Sequence, residues 1–151
     1  LKNPEATAGK TEGGWLHMGD VGHVDEDGWL FFEYRMGGGI RKNGDFINTA
    51  FVEKALSEMQ QIDDVFVYGA ALDKGLAPGE KQVIAAVVPT DAAAFDSAVV
   101  FAACRKKLDA NSVPDFIQVV VKIPKTASEK PQERFLLNAL EAGADNVYAQ
   151  E

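Results

Sequence analysis

Three features of this sequence predict an α+β fold, with a small three-stranded sheet covered by helices. Apolar runs of strand length recur at Val65 to Leu72, Gln82 to Val88 and Phe116 to Val121. Between them lie segments whose apolar residues return at helical spacing. In front stands an aromatic-rich piece (1–34) with the look of a β-hairpin, set off from the rest by Gly37-Gly38-Gly39. A hairpin followed by irregularly alternating helices and strands fits a sheet with helices packed on it.

Residues 1–14 are polar and punctuated by glycine and proline, which reads as a connecting loop. Trp15 to Val24 and Trp29 to Tyr34 are two β-rich runs around Asp25-Glu26-Asp27-Gly28, a hairpin signal. The acidic turn lacks the repeated ligands and final glutamate of a calcium loop. His17 and His23 have no third metal ligand at a recognisable spacing, so both read as structural and no metal site is expected. Ile40 to Ile47 reads as a second, smaller hairpin turning at Asn43-Gly44. Asn48 is placed to cap a helix whose inner face is Val52, Ala55, Leu56 and Met59, with Asp63-Asp64 after its end. Asp73 to Glu80 is a loop, Asp91 to Leu108 a helix with Phe101, Cys104 and Leu108 inward, and Asn111 to Pro114 its break. Pro124 to Pro131 is a loop and Gln132 to Glu141 a last short helix. The core is expected to draw on Val65, Val67, Ile84, Ala86, Val88, Val119 and Val121.

Composition narrows the function. With Lys+Arg 15 against Asp+Glu 23, the chain lacks the basic face that a nucleic-acid backbone or an anionic membrane needs. The single Cys104 excludes an internal disulfide and fits a reducing, cytoplasmic setting. The longest apolar runs are too short to span a bilayer, so no transmembrane segment is expected. The chain begins at Leu1 and reads as part of something longer.

Four places could carry chemistry. Asp20 follows a glycine inside an apolar run, and its carboxylate can accept two hydroxyl hydrogen bonds, as a sugar diol offers; equally it can cap a turn. Arg35 has a forked guanidinium suited to a ribose hydroxyl, a phosphate or a carboxylate, or to a surface pair with Glu33. Lys130 sits in a loop bounded by prolines, from which an ammonium can reach charge developing during phosphoryl attack; most such lysines are simply solvated. The glycines 37–39 can be a surface turn, a pivot or a loop hugging a ligand. They match neither a Walker loop nor a dinucleotide fingerprint.

Taken in order, these segments resemble the adenylate-forming enzymes: acyl-CoA synthetases, firefly-type luciferases and peptide-synthetase adenylation domains. Gly14-Trp15-Leu16-His17-Met18-Gly19-Asp20, Asp25-Glu26-Asp27-Gly28-Trp29-Leu30 and Arg35 follow that family's central motifs. Gly44-Asp45-Phe46-Ile47 through Val52-Glu53, Gly69 through Asp73 to Gly79-Glu80, and Pro124-Lys125-Thr126-Ala127-Ser128-Glu129-Lys130 follow its C-terminal ones. The tail from Ala127 to Arg134 is similar to that of crotonobetaine/carnitine-type CoA ligases.

The resemblance implies a division into the end of a large adenylation domain (1–34), a hinge (35–39, with Gly37, Gly38 and Gly39) and a C-terminal lid (40–151). It implies that Asp20 and Arg35 contact the nucleotide and that Lys130 is the lid lysine of adenylation. Gly44 and Asp45 would line the pantetheine tunnel. The substrates would be ATP, a carboxylic acid and CoA. The Mg²⁺ ligands, like most of the ATP site, would lie in an N-terminal domain of the same protein, this chain's partner. The fragment alone is then expected to be inactive. Three positions depart from the family pattern: Gly37 where an Asp is usual, Glu129 where a Gly precedes the lysine, and Phe46 where an Arg is frequent. The other reading is a non-catalytic module that keeps the lid fold to bind a ligand or a protein.

Overall fold

The computed structural model describes residues 11–12, 15–16, 18, 20–35, 39–72, 75–141 and 143–150. The chain separates into two compact units, Leu1–Gly38 and Gly39–Glu151.

In the first unit, β1 (Thr11–Glu12) pairs antiparallel with β2 (Trp15–Leu16), and β3 (Asp20–Val24) with β4 (Leu30–Arg35). The β3–β4 turn is closed by Asp25, whose carboxylate accepts the amides of Asp27 at 3.0 Å and Trp29 at 2.9 Å. Such Asx-type bonds are why aspartate favours turns. His23 stacks on Phe31 with ring centroids 5.1 Å apart. Two expectations need correction. Thr11 and Glu12 lie in a strand, not a loop. Trp15 and Leu16 pair with them and do not extend the β3–β4 hairpin, because β4 ends at Arg35, opposite Asp20.

The second unit opens with β5 (Ile40–Lys42) and β6 (Asp45–Ile47). Asn43 (φ 52°) and Gly44 (φ 83°) form the two-residue turn between them. Two successive left-handed residues match the right-handed twist of the flanking strands, which is the reason for Asn-Gly here. Helix α1 (Thr49–Ser57) follows, capped by Asn48 Oδ1, which accepts the Ala50 amide at 3.1 Å. Its Val52, Ala55 and Leu56 are buried.

Then come β7 (Ile62–Ala70), β8 (Gln82–Pro89), α2 (Ser97–Lys107), a 3-10 turn (Ala110–Ser112), β9 (Phe116–Val119), α3 (Glu133–Asn138) and β10 (Val147–Ala149). The sheet runs β10-β9-β8-β7. Strands β8 and β9 are parallel and the other neighbours antiparallel. Alternate residues of the central strands enter different cores. Val67, Val83, Ala85, Val87 and Ile117 pack with Val52 and Leu56 of α1 and with Val100, Phe101 and Cys104 of α2. Tyr68, Ile84 and Ala86 pack with Ile123, Leu136, Leu140 and Val147. Burial on both faces explains why β8 is apolar without alternation.

The structure corrects several element bounds. Asp63 and Asp64 belong to β7, at a register shift between Ile62 and Asp64. Helix α2 starts at Ser97 because Asp96 caps it, accepting Ala98 N–H at 2.9 Å and Val99 N–H at 3.3 Å. Strand β9 stops at Val119. After the Val120 amide reaches Val87 O at 2.9 Å the chain bends, leaving Val121 95% exposed and not in the core. Val67, Ile84 and Ala86 are buried as expected, while Val65, Val88 and Val119 are half-buried. Helix α3 is shorter than 132–141. The sheet has four strands, not three: the three-residue β10 has no local pattern of its own and is defined by pairing with β9.

Candidate functional site

The loop from Pro124 to Gln132 is a tight hairpin between β9 and α3. Ile123 is buried at its entrance and Leu136 beyond its exit. The Gln132 amide donates to Pro124 O at 2.8 Å, and Lys125 faces Pro131 in an isolated antiparallel bridge. At the tip, Glu129 N–H donates to Thr126 O at 3.0 Å and Thr126 N–H to Lys130 O at 2.9 Å. The Thr126 hydroxyl accepts the Lys130 amide at 3.2 Å and lies 3.0 Å from Ser128 Oγ.

Glu129 takes φ 61°. A left-handed conformation costs an L-residue roughly 1–2 kcal/mol through its Cβ. The turn demands this conformation whatever the side chain, which accounts physically for a glycine being usual at this place.

The two lysines of the loop differ. Lys130 is exposed, and among the described residues its ammonium makes no ion pair. Lys125 Nζ donates to Asp64 Oδ2 at 2.7 Å. That hydrogen bond, with the charge of Asp64, raises the Lys125 pKa against slight desolvation, and Glu129 adds to the effect. Asp64 is fixed in turn by its Oδ1, which accepts the Val65 amide at 2.9 Å.

The β5–β6 turn is also fastened. Gly44 N–H donates to Glu80 Oε1 at 3.0 Å. Asn111 bridges the turn, accepting from Asn43 Nδ2 at 3.1 Å and donating to Asp45. Lys42 Nζ pairs with Asp115 Oδ1 at 2.8 Å, and Asp115 Oδ2 accepts the Val83 amide at 2.7 Å. Gly44 and Asp45 are therefore held on a braced hairpin. Phe46 lies on Gly39: a Cβ there would meet the ring at 2.0 Å. A side chain at Gly39 would push the part-exposed Phe46 ring aside.

In the first unit, Asp20 and Arg35 are register partners on β3 and β4. Asp20 is exposed and already engaged in an interaction. Gly37, Gly38 and His17 lie outside the described residues. Among the described residues no group of three or more His, Cys, Asp or Glu could hold a metal ion. No helix among them is long and apolar enough to cross a membrane. Cys104 is buried, which pushes its thiol up to about 11 and leaves it protonated and inert.

Sequence reading missed the roles of Asp64, Lys125, Thr126 and Glu53. Glu53 Oε1 accepts the Val67 amide at 2.8 Å, capping a free backbone group on the outer strand β7. Burial raises the Glu53 pKa, the Val67 hydrogen bond opposes this, and the charge of Asp64 adds to the rise. An acidic pair leading an apolar strand was the only signal for Asp64; its lysine lies too far along the chain for any spacing rule.

The family described as AMP-binding enzyme C-terminal domain matches residues 52–130. Among curated proteins, a probable CoA ligase of Humulus lupulus is 34% identical over 134 residues, 89% of this chain and 25% of that protein. A crotonobetaine/carnitine–CoA ligase of Salmonella paratyphi C is 31% identical over 128 residues, 84% of this chain and 24% of that protein. Among solved structures, the amide bond synthetase McbA of Marinactinospora thermotolerans aligns with a TM-score of 0.70 at 33% identity, over 90% of this chain and 27% of that one. The O-succinylbenzoate coenzyme A synthetase of Bacillus subtilis, in complex with ATP and magnesium ion, aligns with a TM-score of 0.72 at 26% identity, over 90% and 27%. The chain thus spans about a quarter of the length of the curated relatives it matches. With more than half of its residues under the family match and its fold shared with those structures, this chain belongs to the AMP-binding enzyme C-terminal domain family.

Proposed function

We propose that this chain is the C-terminal part of an AMP-forming acid–thiol ligase. The full protein would activate a carboxylic acid with ATP and pass the acyl group to CoA. Residues 1–34 would close the large adenylation domain, 35–39 would act as the hinge, and 40–151 as a lid that rotates between half-reactions. The mostly exposed Trp15, Trp29 and Leu30 are apolar surface that such a domain would cover. The CoA ligases among its relatives favour a thiol acceptor.

The observation that carries the reading is Lys130. It is the cation of the family's C-terminal motif, it stands on a hydrogen-bonded turn, and among the described residues it makes no ion pair. In adenylation a carboxylate oxygen attacks the α-phosphorus and pyrophosphate leaves. Two anions must approach each other, and a fixed ammonium lowers that barrier electrostatically. Lys130 would serve there. Asp20 and Arg35, partners across one ladder, would hold the nucleotide. The braced turn at Gly44 and Asp45 would line the path of the pantetheine thiol in the second half-reaction. ATP and Mg²⁺ would sit mainly in the N-terminal domain, and this chain alone would not turn over.

The test is Lys130→Ala in the full-length protein, with each half-reaction assayed separately. Adenylation, followed by ATP–pyrophosphate exchange, should fall by about 10²–10³-fold, the usual size for loss of one electrostatic stabiliser. Thioester formation from pre-made acyl-adenylate should persist. Equal losses in both steps would remove the assigned role. A second reading, a non-catalytic binding module, draws on Glu129 and Gly37 standing where the family has Gly and Asp. Normal ATP–pyrophosphate exchange by the wild-type protein would dispose of it.

A further inference from the structure

We propose that Asp64 and Lys125 are positioning residues for Lys130, acting as a latch that sets where the lysine loop stands on the domain. This rests on the reading of Lys130 given above. Among the described residues, every backbone hydrogen bond of residues 124–132 stays inside the loop or passes to the first turn of α3. Among the described residues, one side-chain hydrogen bond ties the loop to the sheet: Lys125 Nζ to Asp64 Oδ2, at 2.7 Å. Its anchor is stiff. Asp64 lies in β7 where the register shifts, and its other oxygen is occupied by the Val65 amide. Its far end is stiff too. Lys125 bridges Pro131, the residue after Lys130, and Thr126 is hydrogen-bonded to Lys130 through both its backbone and its hydroxyl. The tie therefore runs from the sheet through Asp64 and Lys125 to the backbone of Lys130. Without it, the hairpin can swing about its ends at Pro124 and Gln132.

A part-exposed ion pair of this kind adds little to global stability. Its effect should be geometric, and displacing a catalytic group by about 1 Å can cost up to 10²-fold in rate.

The test uses the full-length protein with Asp64→Asn, Lys125→Met and the conservative Lys125→Arg, beside Lys130→Ala. Two readouts are taken. Amide hydrogen exchange at Gln132, whose bond to Pro124 O closes the hairpin at the ends about which it would swing, reports the latch without reference to catalysis. The two half-reactions report its purpose. Asp64→Asn and Lys125→Met should speed exchange at that amide about tenfold. They should lower the kcat of adenylation about tenfold, with the KM for ATP, the thioester step and the melting temperature unchanged. Lys125→Arg should restore both readouts to within about threefold. Unchanged exchange would refute the latch. Faster exchange with normal adenylation would refute the positioning role. Loss of both half-reactions, together with a lowered melting temperature, would make the pair merely structural. If Lys130→Ala itself adenylates normally, the reading of Lys130 falls, while the exchange data still judge the latch.

Discussion

Gln118→Leu tests the second core, which holds α3 and so the exit of the lysine loop. Gln118 is fully buried. Its Oε1 accepts the Tyr68 hydroxyl at 2.7 Å, and its Nε2 donates to Leu136 O at 3.2 Å. No buried side-chain nitrogen or oxygen among the described residues lacks a partner. Leucine fills a similar volume but leaves the Tyr68 hydroxyl without its acceptor, while the Leu136 carbonyl keeps the Ala139 amide at 3.2 Å. An orphaned buried group costs roughly 1–3 kcal/mol, so a net loss of about 1–3 kcal/mol is expected. That is measurable against the roughly 5–15 kcal/mol that holds an ordinary domain together. Tyr68→Phe alone should cost about 1–2 kcal/mol by stranding Gln118 Oε1. The double variant strands neither partner of the Tyr68–Gln118 bond, and the Leu136 carbonyl keeps the Ala139 amide, so it should be no less stable than Gln118→Leu. The coupling between the two sites is then about 1–2 kcal/mol. Urea unfolding followed by far-UV circular dichroism, with the slope held constant, measures all three. A Gln118→Leu change under about 0.5 kcal/mol, or simple additivity, would refute the network as a stabilising element.

Two further outcomes follow from the described contacts. Glu53 has its pKa raised by burial, so the folded state binds the proton more tightly than the unfolded chain. Its contribution is present at low pH and lost as pH rises through the raised value. Glu53→Gln keeps an oxygen for the Val67 amide, so it should flatten this slope and be at least as stable as wild type near neutrality. Glu53→Ala should also flatten the slope, and should cost about 1–3 kcal/mol at low pH by orphaning that amide, less as pH rises. Urea midpoints across the acid range decide it: a Gln variant with an unaltered slope would exonerate Glu53. Glu129→Gly relieves a left-handed L-residue, worth roughly 1–2 kcal/mol. It also loosens the unfolded chain by about 0.4–1 kcal/mol, leaving a net gain near 0.5–1 kcal/mol by the same unfolding assay. A destabilised glycine variant would show that the Glu129 side chain contributes more than its backbone strain removes.

Local signals in the sequence were reliable where the physics is local. The Asn43-Gly44 turn, the Asn48 cap, the inner face of α1 and the apolar run of β8 each depend on residues a few positions apart. Errors arose where a partner distant in sequence decides. Strand β10 exists because β9 offers it an edge. Val121 is exposed because the chain bends once Val120 has made its last bond to β8. Asp64 is a strand residue because a register shift lets an acidic pair enter β7.

The same division runs through the candidate site. From the sequence alone came the family resemblance, the ordered motifs and Lys130 as the cation of interest, since these are properties of residue identity and spacing. Only the folded chain showed that Lys125, five residues earlier, is engaged by Asp64 while Lys130 is not, because an ion pair is settled by distance in space. Only the fold, too, gave two of the unusual residues their physical sense. Glu129 occupies a left-handed turn that the backbone hydrogen bonds impose, and Phe46 lays its ring against Gly39, where a Cβ would displace it.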